Sequence, residues 1–384
     1  MESMVRLGDY IEPVTRRNTE LKYGVDDVMG ITNTKVLMPT KARSEYADLS
    51  KFYILEPGEF IYNPRTSRNG EKVGMAYNNT DHNILFTFNN NPFRVRESKK
   101  NDLDSDYLYL FFLNPEFDRY ARYNSWGSAT ELFTWEDMCD TLIKLPSLEE
   151  QQKIVRQYKT ITDRIGVLEK INEELTELCK VQLKEYKSIV ENAKSTSFIP
   201  IRDLVESNTA NYSSKDKFEE IIYLDTGSIT DNYVSETQII CPKKETVPSR
   251  CKRKVKSRDI IFSTVRPGNR HFGILYNPEE NYIVSTGFSV LSISQDRISS
   301  EFIYMWLTSD EILSDLNEIA ELSVTTYPSI SNDDLMDVVI EVPDDYDFTK
   351  LNEILYSSML TIDENSKELR RLRKLKEIYL GMKI

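Results

Sequence analysis

Residues 145–194 read LPSLEEQQKIVRQYKTITDRIGVLEKINEELTELCKVQLKEYKSIVENAK, and the predicted architecture is built around this segment. It predicts one long helix from Ser147 to about Ala193, because that segment has no proline and its only glycine is Gly166. Ser147 and Glu150 have the spacing of a capping box, in which each side chain satisfies an orphan N–H of the first turn. At 1.5 Å per residue, ~45 residues make a rod roughly 65 Å long.

Apolar residues recur along this helix at three- and four-residue steps, with mostly charged residues between them. The 3.5-residue average is that of a coiled-coil seam. The predicted seam consists of Ile154, Tyr158, Ile161, Ile165, Leu168, Leu175 and Leu178. A rod with one apolar stripe needs a partner, and the C-terminal residues 350–384 have the same character. They lack proline, and their apolar residues recur at Leu351, Leu355, Ile362, Leu369, Leu372 and Leu375.

The chain repeats itself with a displacement of about 197 residues. At a displacement of 197, the helix positions coincide as Ile165 on Ile362, Leu175 on Leu372, Leu178 on Leu375 and Leu183 on Leu380. Other segments recur in the same order: 199–204 after 4–10, 258–263 after 58–63, 272–277 after 73–78, 301–306 after 106–111, and 342–343 after 145–146. The period is far too long for a solenoid, so the repeated unit is a whole domain with its helix.

The duplication predicts the order domain, helix, domain, helix. Residues 1–146 form the first domain and 147–194 the central helix, while 195–346 form the second domain and 347–384 the C-terminal helix. The predicted fold class is α+β, with two similar mixed α/β domains joined by two long antiparallel helices. This arrangement is a pseudo-twofold dumb-bell, and residues 107–112 are predicted to start a buried helix.

Composition excludes several classes of protein. A length of 384 residues predicts two or three domains, and a hydrophobic content of 40% is enough for sizeable cores. The longest apolar run, residues 107–113, is far shorter than the ~20 residues that cross a bilayer, and the N-terminus has no apolar signal core. We therefore expect a cytoplasmic protein without membrane contact. The four cysteines form no C-x-x-C pair and there are two histidines, so no metal site is expected.

No catalytic motif is apparent. Residues 91–93, NPF, lack the second proline of a methyltransferase catalytic segment. There is no G-x-x-x-x-G-K-[ST] loop for a nucleotide and no G-x-S-x-G nucleophile. We predict a non-enzymatic chain with no catalytic residue and no cofactor of its own.

The net charge of −13 argues against a simple nucleic-acid binder, yet the cations are concentrated locally. Residues 58–63 and 73–77 are predicted to be the strands of a hairpin whose loop, 64–72, is basic. A second basic group lies between residues 241 and 276. One basic hairpin in each copy suits duplex DNA, where sites ~34 Å apart face one side.

Arginine forks onto guanine, and asparagine onto adenine, in the major groove. The base-reading candidates are therefore Arg65, Arg68 and Asn69 in the first copy, and Arg266, Asn269 and Arg270 in the second. The DNA-binding set also contains Lys72, Lys252, Arg253 and Lys254.

Several segments resemble the specificity subunit of type I restriction-modification systems. LPSLEEQQKIV at 145–155 resembles the start of that family's central conserved region. PEFDRY at 115–120, NSWGSA at 124–129 and WEDMCD at 135–140 resemble the end of its first recognition domain. TTYPSISNDDL at 325–335 resembles the end of the second, so Thr325, Thr326 and Tyr327 join the DNA-binding candidates. The first copy departs from the family at 85–88, LFTF, where the second keeps VSTG at 284–287.

The resemblance implies a non-catalytic subunit that recognises a bipartite asymmetric DNA sequence, one half-site per domain, with the paired helices fixing the spacer. It also implies two adenine-methyltransferase subunits docked along the helices and motor-nuclease subunits recruited to that core. Those partners would use S-adenosylmethionine, and ATP with Mg for restriction. The acidic helix residues that would face them are Glu149, Glu150, Glu169, Glu173, Glu174 and Glu177.

A second class of function stays open at this point. An acidic coiled coil also suits a protein-protein scaffold or a DNA mimic that never reads DNA. The basic cluster at residues 250–270 discriminates, because a mimic has no use for it.

Overall fold

The computed structural model describes residues 3–32, 34–40, 47–65, 72–126, 131–323 and 328–384. The chain forms two compact units, the first being Met1–Ile165 with Arg371–Ile384 and the second Gly166–Arg370. Both long helices therefore contribute to both units. In the described ranges, no helix combines the length and apolar character of a bilayer-spanning segment.

The first unit combines short strands with three short helices before the long one. Its elements are β1 (Ser3–Arg6), β2 (Ile11–Pro13), β3 (Met29–Ile31), β4 (Leu37–Pro39), β5 (Tyr53–Leu55), β6 (Phe60–Asn63), β7 (Gly74–Tyr77), β8 (Ile84–Phe86), β9 (Asn91–Val95), α1 (Ser105–Leu113), α2 (Pro115–Tyr123), α3 (Trp135–Asp140), β10 (Leu142–Leu145) and the start of α4 (Leu148–Glu191). The main sheet has the order β2-β9-β6-β7, and β1–β10, β3–β4 and β5–β8 form separate pairs.

Aromatic side chains fill the core of the first unit. Phe93 packs between Phe60 and Phe112, at ring-centroid distances of 5.1 and 5.8 Å. Helix α1 begins where the Asp104 side chain accepts a hydrogen bond from the Tyr107 N–H at 3.0 Å. Four residues of α1 are buried, so the predicted buried helix at 107–112 is confirmed.

The second unit repeats this arrangement. Its elements are β11 (Thr196–Pro200), β12 (Val205–Ser207), β13 (Ile221–Leu224), β14 (Ile229–Thr230), β15 (Tyr233–Val234), β16 (Gln238–Ile240), β17 (Cys251–Lys254), β18 (Ile260–Ser263), β19 (Phe272–Ile274), β20 (Tyr282–Ser285), β21 (Phe288–Ile293), α5 (Ser300–Leu307), α6 (Asp310–Leu322), α7 (Asn332–Met336), β22 (Val339–Pro343) and α8 (Thr349–Lys383).

Strand topology carries the internal duplication. The main sheet of the second unit, β12-β21-β18-β19, has the same order as β2-β9-β6-β7. The predicted hairpins pair antiparallel in both units, Ile61 opposite Ala76 in one and Ile261 opposite Gly273 in the other. The α+β class and the two similar mixed domains are thus confirmed.

The units differ in their second sheet. Strand β8 pairs antiparallel with β5, as β20 does with β17, so the LFTF and VSTG segments begin within the last residues of equivalent strands. In the second unit β20 also pairs in parallel with β13, in a four-stranded sheet. In the described part of the first unit, the corresponding contact is an isolated parallel bridge between Val28 and Leu85.

The two long helices pack antiparallel within each unit. In the second unit, Asn365 Nδ2 donates to Asn172 Oδ1 at 2.8 Å, while the Tyr186 and Phe348 rings lie 5.5 Å apart. In the first unit, the Tyr379 hydroxyl donates to the carbonyl of Ile154 at 3.3 Å. The predicted helix pair is therefore confirmed.

The predicted boundaries of α4 agree with the structure, but one seam residue does not. Ser147 Oγ accepts from the Glu150 N–H at 3.4 Å, and the helix begins at Leu148. Leu178 is 40% exposed, so its placement in the seam is wrong. The heptad step after Leu175 is four residues, which brings Cys179 into the core instead.

The same correction applies to α8. Leu375, the copy of Leu178, is 47% exposed. A leucine next to the seam is as apolar as one in it, so hydrophobicity alone did not distinguish the two positions.

Candidate DNA interface

The first basic loop joins β6 to β7, and the structure describes its two ends. Arg65 and Lys72 are exposed. The Arg65 N–H donates to Asn63 Oδ1 at 3.0 Å, which turns the chain as it leaves β6. Arg68 and Asn69 lie outside the described residues. The described cations therefore flank the loop on both sides.

A segment that follows the short helices returns to the base of this loop. The Phe133 N–H donates to the carbonyl of Pro64 at 2.8 Å, and Leu132 pairs with both Arg65 and Trp126. Leu132 thus brings the predicted hairpin together with the NSWGSA segment that carries the family resemblance.

The second unit closes its hairpin in the same way. The Ile330 N–H donates to the carbonyl of Thr264 at 2.9 Å, and the Arg266 N–H donates to the carbonyl of Pro328 at 2.9 Å. Thr325, Thr326 and Tyr327 lie outside the described residues, but Pro328 follows them directly in the chain. The structure therefore brings Arg266 to the end of that predicted segment.

The second hairpin turns through a 3-10 helix, Pro267–Asn269, between two left-handed residues. Arg266 has φ 48° and Arg270 has φ 59°. Such a conformation at a non-glycine residue costs about 1 kcal/mol or more and is found at functional sites. Arg266 and Asn269 are exposed.

Arg270 has partners inside its own unit. Its Nε donates to Asp231 Oδ1 at 2.6 Å, and its guanidinium lies 5.5 Å from the centre of the Phe272 ring. A base contact by Arg270 must compete with this ion pair, whereas the exposed Asn269 meets no such competition from Asp231.

The three cations of strand β17 differ in their exposure and in their partners. Lys252 is exposed, whereas Arg253 and Lys254 are half-buried. Lys254 forms an ion pair with Asp216, and this hydrogen bond lowers the pKa of the Asp216 carboxyl. Arg253 donates from NH1 to Asn211 Oδ1 at 3.1 Å. Of these three predicted cations, Lys252 is the one presented to solvent.

Arg258, another member of the second basic group, is a structural cation. It donates to the carboxylate of Glu301 from Nε at 3.0 Å and from NH2 at 2.6 Å. Glu301 is fully buried and also accepts from the Tyr276 hydroxyl at 3.0 Å. These residues join β18, β19 and α5, so Arg258 does not add to the basic surface.

The predicted partner-binding glutamates divide between the two units. Glu149 is exposed, and Glu150 pairs with Lys153 at 3.2 Å. Glu169 is half-buried, and Glu173, Glu174 and Glu177 are exposed. Glu173 and Glu177 also line a cavity of about 430 Å³ beside Asp231 and Asn232. Among the described residues, no group of three or more His, Cys, Asp or Glu side chains is placed to hold a metal ion.

Sequence reasoning missed the pair that braces the first hairpin. Lys35 Nζ lies 2.8 Å from Asp118 Oδ1, and the same oxygen accepts from the Val73 N–H at 3.1 Å. Lys35 and Asp118 are far apart in the chain, and neither belongs to a motif. Asp118 lies in α2, for which the sequence analysis predicted no helix.

Comparisons with known proteins find similarity to the family that the sequence resembles. Residues 4–177 match the model of the family described as "Type I restriction modification DNA specificity domain". A specificity subunit of the type I restriction enzyme HindI, from Haemophilus influenzae, is 28% identical over 138 residues, which cover 36% of this chain and 30% of that protein. The aligned part is thus under a third of that relative's length.

A solved structure agrees over the whole chain. The S subunit of a type I restriction-modification system from M. genitalium has a TM-score of 0.67 and 14% sequence identity, covering 100% of this chain and 96% of that one. At that identity the likeness shows the fold alone. The family match over residues 4–177 and this likeness of fold agree with the resemblance noted in the sequence.

Proposed function

We propose that this chain is the DNA sequence-recognition subunit of a type I restriction-modification complex. Each domain reads one half of a bipartite asymmetric target, and the paired helices set the spacer. The observation that supports this most is the repeated hairpin, which places exposed cations at the same point of both units. Arg65 and Lys72 in the first unit, and Arg266 and Lys252 in the second, are exposed and are the residues proposed to contact phosphates or bases.

The proposed function also includes partner subunits. Two adenine-methyltransferase subunits dock along the helices and use S-adenosylmethionine, while motor-nuclease subunits use ATP with Mg. The exposed Glu173 and Glu177 are candidates for the docking surface. The partners also supply much of the positive charge around the duplex, which reconciles DNA binding with a net charge of −13.

The test compares Arg65→Ala with Arg266→Ala in the assembled methyltransferase complex. Each variant is expected to relax recognition at a different half-site, because each arginine belongs to a different unit. The readout is the set of methylated sequences and the methylation rate on duplexes altered in one half-site. Each variant is the matched control for the other. Unchanged motifs and rates in both variants contradict the assignment of these arginines.

A domain exchange distinguishes a subunit that reads DNA from a scaffold that does not. Replacing residues 195–346 with those of another specificity subunit is expected to change one half-site and to leave the other half-site and the spacer intact. A scaffold that never reads DNA predicts no change in the methylated motif.

A further inference from the structure

Helices α2 and α6 are equivalent elements, related by a displacement of 199 residues. They end at Tyr123 and Leu322, respectively. Each has a fully buried alanine near its end, Ala121 or Ala320. In both helices that alanine's carbonyl accepts a hydroxyl hydrogen bond at 2.6 Å from a serine just beyond the helix.

Each helix bonds directly to the basic hairpin of its own unit. Asp118 Oδ1 accepts from the Val73 N–H at 3.1 Å, and Asn317 Oδ1 accepts from the Gly268 N–H at 3.3 Å. Asp118 and Asn317 are themselves 199 residues apart. Both units therefore bond the hairpin from the same helix position. This bond fixes the C-terminal end of the helix relative to the hairpin.

Beyond this bond, each helix presents two large apolar side chains to solvent. In α2 they are Tyr120 and Tyr123, which are 36% and 80% exposed. In α6 they are Ile319 and Leu322, which are 41% and 81% exposed. Single exposed apolar residues are common and need no explanation. Here the same two positions are exposed to the same extent in both copies, which points to a shared role.

The charge of the hairpins bonded to these helices indicates which kind of ligand the apolar pairs contact. The hairpin to which each helix is bonded carries exposed cations, Arg65 and Lys72 in the first unit and Arg266 in the second. A cationic hairpin attracts a polyanion, and the apolar group that duplex DNA offers in its major groove is the thymine methyl. Apolar side chains held beside the phosphate-binding residues are suited to contact base edges.

We propose that Tyr123 and Leu322 are specificity-determining residues that contact bases, one in each half-site. This inference rests on the proposed function and deepens it. The hairpin cations position the duplex, and the terminal residue of α2 or α6 makes the apolar contact with a base edge. Because α2 and α6 are bonded to their hairpins, the cationic and apolar contacts keep a constant offset.

The experiment measures DNA affinity of the complete complex with its methyltransferase subunits. The duplexes carry each half-site base pair changed one at a time, with deoxyuridine in place of each thymine as a further set. A wrong base pair is expected to weaken binding by roughly tenfold in the unmodified complex. In Leu322→Ala this discrimination falls to about threefold or less at one or two adjacent positions of one half-site, and Tyr123→Ala does the same in the other half-site.

Conservative and distant variants are the controls. Tyr123→Phe and Leu322→Met keep the apolar surface and are expected to keep the discrimination. Met4→Ala and Phe198→Ala remove exposed apolar side chains from the equivalent strands β1 and β11 and are expected to change nothing.

Three outcomes overturn the inference. Uniform weakening at every position means a contact to the backbone of the duplex, and unchanged binding means no contact. Loss of complex assembly on size-exclusion chromatography means that a protein partner covers this surface. Arg65→Ala and Arg266→Ala are measured in parallel. If they alter half-site recognition while the apolar variants do not, the inference fails and the proposed function stands.

Discussion

Lys35 illustrates how single residues hold the first hairpin in place. It is 4% exposed, its ammonium pairs with Asp118, and it also donates to the carbonyl of Phe112. Its backbone is left-handed, with φ 64°. The equivalent turn of the second unit has Asn232, with φ 66°, whose Oδ1 accepts from the Ile274 N–H at 2.8 Å. Both units thus use a left-handed turn residue to hold the return strand of the hairpin.

Removing the ammonium is expected to destabilise the first unit. Lys35→Met leaves the Asp118 carboxylate without its cation, and breaking a buried ion pair from one side costs about 3 kcal/mol or more. Lys35→Met/Asp118→Asn is the matched control and is expected to recover much of this loss. Urea unfolding of the three proteins measures the effect. A single variant as stable as the double variant contradicts it.

The same comparison has a pH dependence. Burial lowers the pKa of Lys35 below its usual value of 10.5, and Asp118 opposes that shift. Between the lowered pKa and 10.5 the unfolded chain binds more protons, so this lysine's contribution to the free energy of unfolding rises with pH. The difference between the unmodified protein and Lys35→Met/Asp118→Asn is therefore expected to grow from pH 8 toward 10.5.

At the scale of elements, the helix pair contains a polar layer. Asn172 and Asn365 are half-buried and hydrogen-bonded at 2.8 Å. At the repeat displacement of 197, Asn365 corresponds to Leu168 and Asn172 to Leu369, both of which are buried. Each asparagine therefore corresponds, in the repeat, to a buried leucine of the other helix. A polar residue at a seam position specifies register at a cost in stability.

Replacing the asparagine layer tests this role. Asn172→Leu/Asn365→Leu is expected to raise the melting temperature, because apolar packing replaces a polar layer. Asn172→Leu alone leaves the Asn365 amide unpaired and is expected to cost about 1–3 kcal/mol. Leu178→Asn, on the exposed side of α4, is the control and should change little. Thermal unfolding followed by circular dichroism distinguishes these results, and a double variant less stable than the unmodified protein contradicts them.

At the scale of the whole molecule, the net charge bears on the proposed DNA binding. With a net charge of −13, the isolated subunit is expected to bind DNA weakly, and the assembled complex tightly. Binding by the complex should fall steeply with salt, with log K decreasing by about 0.9 per phosphate neutralised for each unit of log salt concentration. Fluorescence anisotropy measures this slope between 50 and 200 mM salt, because affinity that depends on phosphate contacts falls strongly over that range. Tight, salt-insensitive binding by the subunit alone contradicts this expectation.

Arg65→Ala in the complex is expected to reduce that slope by about one if the arginine neutralises a phosphate. Lys144→Ala, which removes an exposed cation from β10, is the control and should leave the slope unchanged.

Local patterns determined the elements that depend on local physics. The length of α4, its cap at Ser147, the C-terminal helix and the two hairpins follow from periodicity, capping and turn residues, which act within a few positions of the chain. The internal duplication was also readable, because two copies of one unit keep their apolar patterns in the same order.

Only the tertiary structure decided how the charges are used. Arg258 was grouped with the basic surface, yet Glu301, 43 residues away, neutralises it, and Lys254 is paired with Asp216. The choice between Leu178 and Cys179 as seam residue, and the bonds from Asp118 and Asn317 to their hairpins, also emerged only there. Such pairings join residues distant in sequence, and no local propensity encodes which of many charged or apolar side chains will meet when the chain folds.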